Sequence, residues 1–153
     1  MDIRRCYDLF LTDRKVRGCR ESTLRFYDYV IGKLISYLTS TDSDSSVEDL
    51  QTHILPFFQH LQQQTLSPST YHTLFRGIRA FTRFLQQEEY VEKEIRLPKV
   101  KQPHTAISPL TPAQMRKVLH AFNSNTYLGL RNSTIVRLFL DTGMRLGELS
   151  RLQ

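Results

Sequence analysis

Near the end of the chain, in LFLDTGMRLGELSRLQ (138–153), Thr142 and Gly143 precede Arg145, and Glu148 follows three residues later. An arginine on a short helix just after a glycine turn can aim its planar guanidinium at a phosphate through two parallel charge-assisted hydrogen bonds. Glu148, one helical turn on, is close enough to orient it. Taken alone, an arginine and a glutamate at this spacing are more often an ordinary surface salt bridge. A second group lies upstream. His72, Arg76, Arg79 and Arg83 are spaced by four, three and four, which puts them on one helix face opposite Leu74, Ile78, Phe81 and Leu85. Such a face is a candidate DNA reader, with a solvated basic face as the alternative. Ser69, Thr70 and Thr73 at the start of that helix can add hydroxyl and N–H contacts to phosphate, or Ser67 and Ser69 do nothing beyond capping. Lys99 and Lys101 suit nonspecific phosphate contacts, because a flexible ammonium acts as a point charge.

Positioning these groups falls to helices, since every long segment has helical and not strand periodicity. A first helix is predicted around Ile3–Thr12. A longer one, capped by Ser22, carries Leu24, Tyr27, Ile31, Leu34 and Leu38 and ends near Ser40. Ser40–Ser46 is all Ser, Thr and Asp, a loop leading to another cap. The next helix spans about Val47–Gln64, with Pro56 inside it as a point of kinking or division. Ser67 caps a third long helix with Pro68 at its first position, running to about Gln87. Between Arg96 and Pro112, four prolines, Lys99, Lys101 and His104 occur without a hydrophobic period, as in a stiff linker. Thr111 and Pro112 open a helix through Met115, Val118, Leu119 and Phe122. A further helix carries Ile135, Val136, Leu138, Phe139 and Leu140 and stops at Gly143, before a short one through Arg145, Leu146, Glu148 and Leu149.

Composition narrows the function classes. The 153 residues are 40% hydrophobic, enough to bury a core, and carry a net charge of +6. Residues 1–66 hold 8 basic against 9 acidic side chains; residues 67–153 hold 13 against 6. Positive charge concentrated in this way suits a polyanionic partner. Cys6 and Cys19 have no metal-ligand spacing and no neighbouring Cys or His cluster, so neither a zinc site nor a disulfide framework is expected, and a reducing cytoplasm fits. No signal pattern opens the chain, and no apolar run approaches membrane-spanning length.

The segment ending in Thr142, Gly143, Arg145, Glu148, Leu149 and Leu152 closely resembles the first conserved box of the tyrosine recombinases, or phage-type integrases, with Xer-like features. Ser22, Thr23 and Tyr27, the run Val47–Leu50, Ser69 and Thr70, then Arg79, Phe81 and Phe84 resemble, in the same order, the helical core-binding domain of that family. The resemblance spans nearly the whole chain. It implies an all-α, SAM-like core-binding bundle over residues 1–95, a linker over 96–112, and over 113–153 the first helices of a truncated mixed α+β catalytic domain. In the family, the arginine matched by Arg145 binds the scissile phosphate and stabilises developing negative charge, and Glu148 is its supporting residue.

The family's reaction breaks and rejoins double-stranded DNA through a phosphotyrosine link, with no metal, nucleotide or small-molecule cofactor, and its subunits act together on paired sites. The tyrosine nucleophile follows the first arginine, yet Tyr7, Tyr27, Tyr29, Tyr37, Tyr71, Tyr90 and Tyr127 all precede Arg145. Beyond Arg145 there is no Lys, His or Tyr, so the family's catalytic lysine, His-x-x-Arg pair and later His or Trp are also missing. The expectation is therefore the DNA-binding portion of a site-specific recombinase, not catalytically competent as given. Two alternatives stay open: a noncatalytic DNA-binding module from a naturally truncated recombinase, and an interaction-only helical bundle.

Overall fold

A computed structural model describes residues 1–41, 46–101 and 108–152. Most of the predicted Ser40–Ser46 loop lies outside the described residues, as do Pro103 and His104. The chain divides into two compact units, residues 1–104 and 105–153. The described residues form α-helices and one 3-10 turn with no strand, the all-α class expected. Among them, no helix is long and apolar enough to cross a membrane.

The first unit packs four helices: α1 (Ile3–Val16), α2 (Glu21–Ser40), α3 (Leu50–Gln63) and α4 (Pro68–Gln87). Asp2 caps α1 by accepting from the Arg4 amide at 2.8 Å. The helix runs one turn beyond the predicted Thr12, with Arg14 and Lys15 in the last turn, where cations favour the exposed carbonyls. At α2 the expectation fails: Arg20, without a side-chain cap bond, holds the N-cap position, and Ser22 lies inside the first turn. Glu21 supplies a negative charge there, which interacts favourably with the helix dipole. Ser46 caps a 3-10 turn (Val47–Asp49) that leads into α3. Pro56 neither ends nor divides α3. Because Pro56 is exposed, the carbonyl deprived of its helical partner can turn to water. α4 starts and stops where predicted, with the Ser67 hydroxyl accepting from the Thr70 amide at 3.1 Å and Pro68 in the first turn.

The core of this unit draws on every helix: Ile3, Cys6 and Phe10 of α1, Val30, Ile31 and Leu34 of α2, Ile54, Phe57 and Phe58 of α3, and Leu74, Ile78, Phe81 and Leu85 of α4. Burial raises the pKa of the Cys6 thiol above its usual value. Gly77 lets α4 approach α2 closely, since a Cβ there would stand 2.7 Å from Val30 Cγ1 and 3.0 Å from Val30 Cβ. Rotating the valine cannot relieve the second clash. Gly77→Ala is expected to gain about 1 kcal/mol of helix propensity and lose about 1–3 kcal/mol to overpacking, lowering the melting temperature by several degrees. Gly32→Ala, whose Cβ meets nothing within 4 Å, should raise it. Thermal melts of the two variants check the sign, and a rise for Gly77→Ala would contradict the close approach.

In the second unit, α5 (Pro112–His120) begins with a reciprocal cap: Thr111 Oγ1 accepts from the Gln114 amide, and Gln114 Oε1 accepts from the Thr111 amide at 2.8 Å. This helix stops before Phe122, which had been expected inside it. α6 (Tyr127–Thr142) starts eight residues before Ile135, capped by Thr126. It ends at Gly143, whose φ of 65° is the left-handed conformation that glycine adopts without penalty. A one-turn helix, α7 (Leu146–Leu149), follows.

Candidate nucleic-acid interface

The α4 sequence PSTYHTLFRGIRAFTRFLQQ contains three arginines and no acidic residue. Its apolar stripe is buried against the other helices, which forces Arg76, Arg79 and Arg83 into solvent together. None of the three guanidinium groups forms an ion pair or a side-chain hydrogen bond among the described residues. His72, half-buried, lies on the same face with its ring 6.4 Å from that of Phe75. At the helix start, Ser69, Thr70 and Thr73 are exposed. Two of their hydroxyls already have partners: Thr70 bonds Ser67 Oγ at 2.8 Å, and Thr73 donates to the Ser69 carbonyl at 2.9 Å. Their capacity for a ligand is correspondingly smaller than the sequence suggests.

The first part of the proline-bearing stretch returns to the bundle. Ile95 is buried, and Leu97 and Val100 pack against the core. Gln51 of α3 holds the backbone of Arg96 on both sides, accepting from its amide at 2.6 Å and donating to its carbonyl at 3.5 Å. Residues 94–100 and the last turns of α4 thereby enclose an open groove of about 640 Å³. Phe75, Thr82 and Ile95 line it among apolar neighbours, and Arg79, Arg83, Arg96 and Lys99 contribute four positive charges, against which only Glu94 is acidic. Lys99, read from sequence as a linker residue, thus shares this groove with Arg79 and Arg83. Lys101, also exposed, follows just beyond the groove.

Arg96 and Gln51 were missed. For Arg96 the signal was the alternation Ile95–Arg96–Leu97, a period-two pattern that marks an extended segment with one face inward; Gln51 carries none. Gln51→Leu removes both bonds to Arg96 while keeping much of the side-chain bulk. The Arg96 amide is then expected to exchange hydrogen about tenfold faster, the equivalent of one net hydrogen bond, with α4 amides unchanged. Unaltered Arg96 exchange would show that the glutamine does not hold the segment.

Arg145 and Glu148 sit in the second unit. Arg145 is not on the short helix, as expected, but one position before it, at the N-cap with φ −84° and ψ 154°. Gly143 reverses the chain out of α6 and leaves the Arg145 side chain 89% exposed. Glu148 serves it twice, accepting from the Arg145 amide at 2.8 Å and standing 3.6 Å from Nη1. An exposed pair of this kind contributes little stability. Its effect is to restrict where the guanidinium points. Among the described residues, no three His, Cys, Asp or Glu side chains gather where a metal ion could bind.

Residues 7–92 match the family described as phage integrase, N-terminal SAM-like domain. Among curated proteins, the tyrosine recombinase XerD of Oceanobacillus iheyensis is 26% identical over 148 residues, covering 95% of this chain and 50% of that protein. The XerD of Listeria monocytogenes is 24% identical over 140 residues, 90% of this chain and 47% of the relative. The tyrosine recombinase XerC of Oceanobacillus iheyensis is 24% identical over 135 residues, 86% of this chain and 44% of the relative. The chain thus spans about half the length of the curated relatives it matches. No solved structure matches it.

Proposed function

We propose, from the premise that this chain belongs to the phage integrases through their N-terminal SAM-like domain, that it is the DNA-binding portion of a site-specific tyrosine recombinase. In this reading residues 1–95 are the core-binding domain, 96–112 the linker and 113–153 the start of the catalytic domain. Double-stranded DNA is the ligand, other recombinase subunits on paired sites are the partners, and the compartment is the cytoplasm. The observation that carries the reading is the unpaired arginine row of α4, Arg76, Arg79 and Arg83, continued by Arg96 and Lys99 along the groove. Guanidiniums in a row without counter-charges suit consecutive phosphates of a backbone. Base readout from this face would fall to His72, and Lys99 and Lys101 would add charge without sequence preference.

Arg145 has the second role. With its backbone amide tied to Glu148 and its fork in solvent, it is suited to clamp one phosphate and stabilise charge accumulating there. The complete enzyme would carry out strand breakage and rejoining through a phosphotyrosine link.

Titration of the chain against duplex DNA at several salt concentrations tests the binding function. Five phosphate contacts, one for each of Arg76, Arg79, Arg83, Arg96 and Lys99, correspond to a slope of log affinity against log salt of roughly −4 to −5. Binding that ignores salt, or no binding by folded protein, would reject the reading.

A further inference from the structure

Among the described residues of the second unit, only one is buried, and it is polar: Ser133, 5% exposed, midway along α6. A serine or threonine inside a helix commonly bonds back to the carbonyl one turn earlier, as neighbouring Thr134 does to Leu130 at 2.9 Å. The Ser133 hydroxyl has no such bond and no other partner among the described residues. The residue is buried as a whole, but its oxygen is not among the enclosed polar atoms left without a partner, so it opens to the space beside the helix, and what lines that space decides what it can bind.

Ser133 lines a cleft of about 390 Å³ with Arg116 and His120 of α5, Arg137 of α6, and Phe122 and Ser124 of the connecting loop. Arg116 and His120 are one turn apart on one helix, as are Ser133 and Arg137 on the other, so two pairs of donors contribute to a single cleft. Arg116 donates through Nε to the Pro112 carbonyl at 3.4 Å, which leaves its two terminal nitrogens available. Arg137 has no ion-pair partner among the described residues. The two helices and their loop contain one carboxylate, Asp141, and it does not line the cleft.

Two guanidiniums without a counter-charge repel each other, and an oxyanion between them removes that cost. Two planar forks and a hydroxyl offer more donors than a monatomic ion can accept, and they match a group with three or four acceptor oxygens. We infer that the α5–α6 cleft binds a phosphate group, held by Arg116 and Arg137 with the Ser133 hydroxyl donating to one of its oxygens. This site shares no lining residue with the α4 groove and does not include Arg145, and it does not depend on the function proposed for either.

The test is a titration of the full chain with inorganic phosphate at constant ionic strength, followed residue by residue by NMR. The backbone amides of Ser133 and Arg137 and the Arg116 Nε–H should shift along one saturable curve. Arg137→Gln, and separately Arg116→Gln, should weaken that curve about tenfold or more, the expected loss for a hydrogen bond to a charged group. Ser133→Ala should weaken it less, with the spectrum otherwise intact. Duplex DNA added to the phosphate-loaded chain separates the two sources of the group: displacement at these resonances assigns the cleft to a backbone phosphodiester, and persistence assigns it to a free phosphate. Signals from Arg76, Arg79 and Arg83 report the α4 surface in the same spectra, so the two proposals can fail separately. An absent or non-saturating response at Ser133, Arg137 and Arg116, or one unchanged in both arginine variants, would overturn the assignment.

Discussion

Alanine at Arg76, Arg79 and Arg83 together is expected to weaken duplex DNA binding about 10²–10³-fold at about 0.1 M monovalent salt. The magnitude follows from counterion release: affinity varies with salt to roughly the power −0.9 per neutralised phosphate, so at about 0.1 M each contact contributes roughly a factor of eight. Three contacts multiply to a few hundredfold, and the slope of log affinity against log salt flattens by about 2.7. Stability should barely change, because the three side chains are exposed and form no ion pair among the described residues. The combination distinguishes a binding surface from a solvated basic face. An unchanged slope in the triple variant would mean that these arginines neutralise no phosphate, even if affinity fell for another reason.

Much of this surface could be read from sequence because α4 is strongly amphipathic and its ends are marked. Ser67 and Pro68 announce the start, and spacings of four, three and four place His72 and the arginines on the side away from Leu74, Ile78, Phe81 and Leu85. Local signals of this type need no knowledge of what packs on what. The same was true of Thr111–Pro112 and of Gly143. Ser22 misled because a cap is chosen by the backbone, and a serine one residue inside the helix has the same composition as one at its edge. Arg145 was displaced by one position for the same reason, with the useful result that its side chain leaves from an extended residue and not from a helical one.

The groove was harder to foresee. Gln51 and Arg96 are 45 residues apart, and nothing in either local sequence says that they meet. Prolines at 98, 103, 109 and 112 made the whole stretch read as a linker, and they obscured the inward alternation of Ile95 and Leu97. The α5–α6 cleft was invisible for a different reason. Its donors come from two helices whose meeting no local pattern announces, and the opening of the Ser133 hydroxyl into the cleft has no signature in one dimension.

Phe10→Ala is expected to be the most damaging single substitution for stability. Phe10 is fully buried and meets three rings edge-on: Tyr27 of α2 at 4.9 Å, and Phe81 and Phe84 of α4 at 5.5 and 5.3 Å. The Arg14 guanidinium lies 4.9 Å from its centroid, adding a cation–π contact. Removing the ring leaves a cavity that cannot readily collapse, because its walls belong to two helices already in contact with each other through Gly77 and Val30. The loss should be about 3–5 kcal/mol, a large part of the roughly 5–15 kcal/mol available to a domain. Urea denaturation should show the midpoint falling without a change in slope, whereas Leu9→Ala, on the exposed side of α1, should move it little. Phe81 and Phe84 flank Arg83 in the sequence of α4, so the ring that α1 contributes also holds the arginine row in place. DNA binding by Phe10→Ala should therefore be lost on warming together with helical structure, and be near normal in the cold where the fold survives. The triple arginine variant should show the reverse: a normal melt, with binding weakened by about the same 10²–10³-fold at every temperature. If Phe10→Ala melted like the unmodified chain, the aromatic cluster would not be what fixes α4 to the bundle.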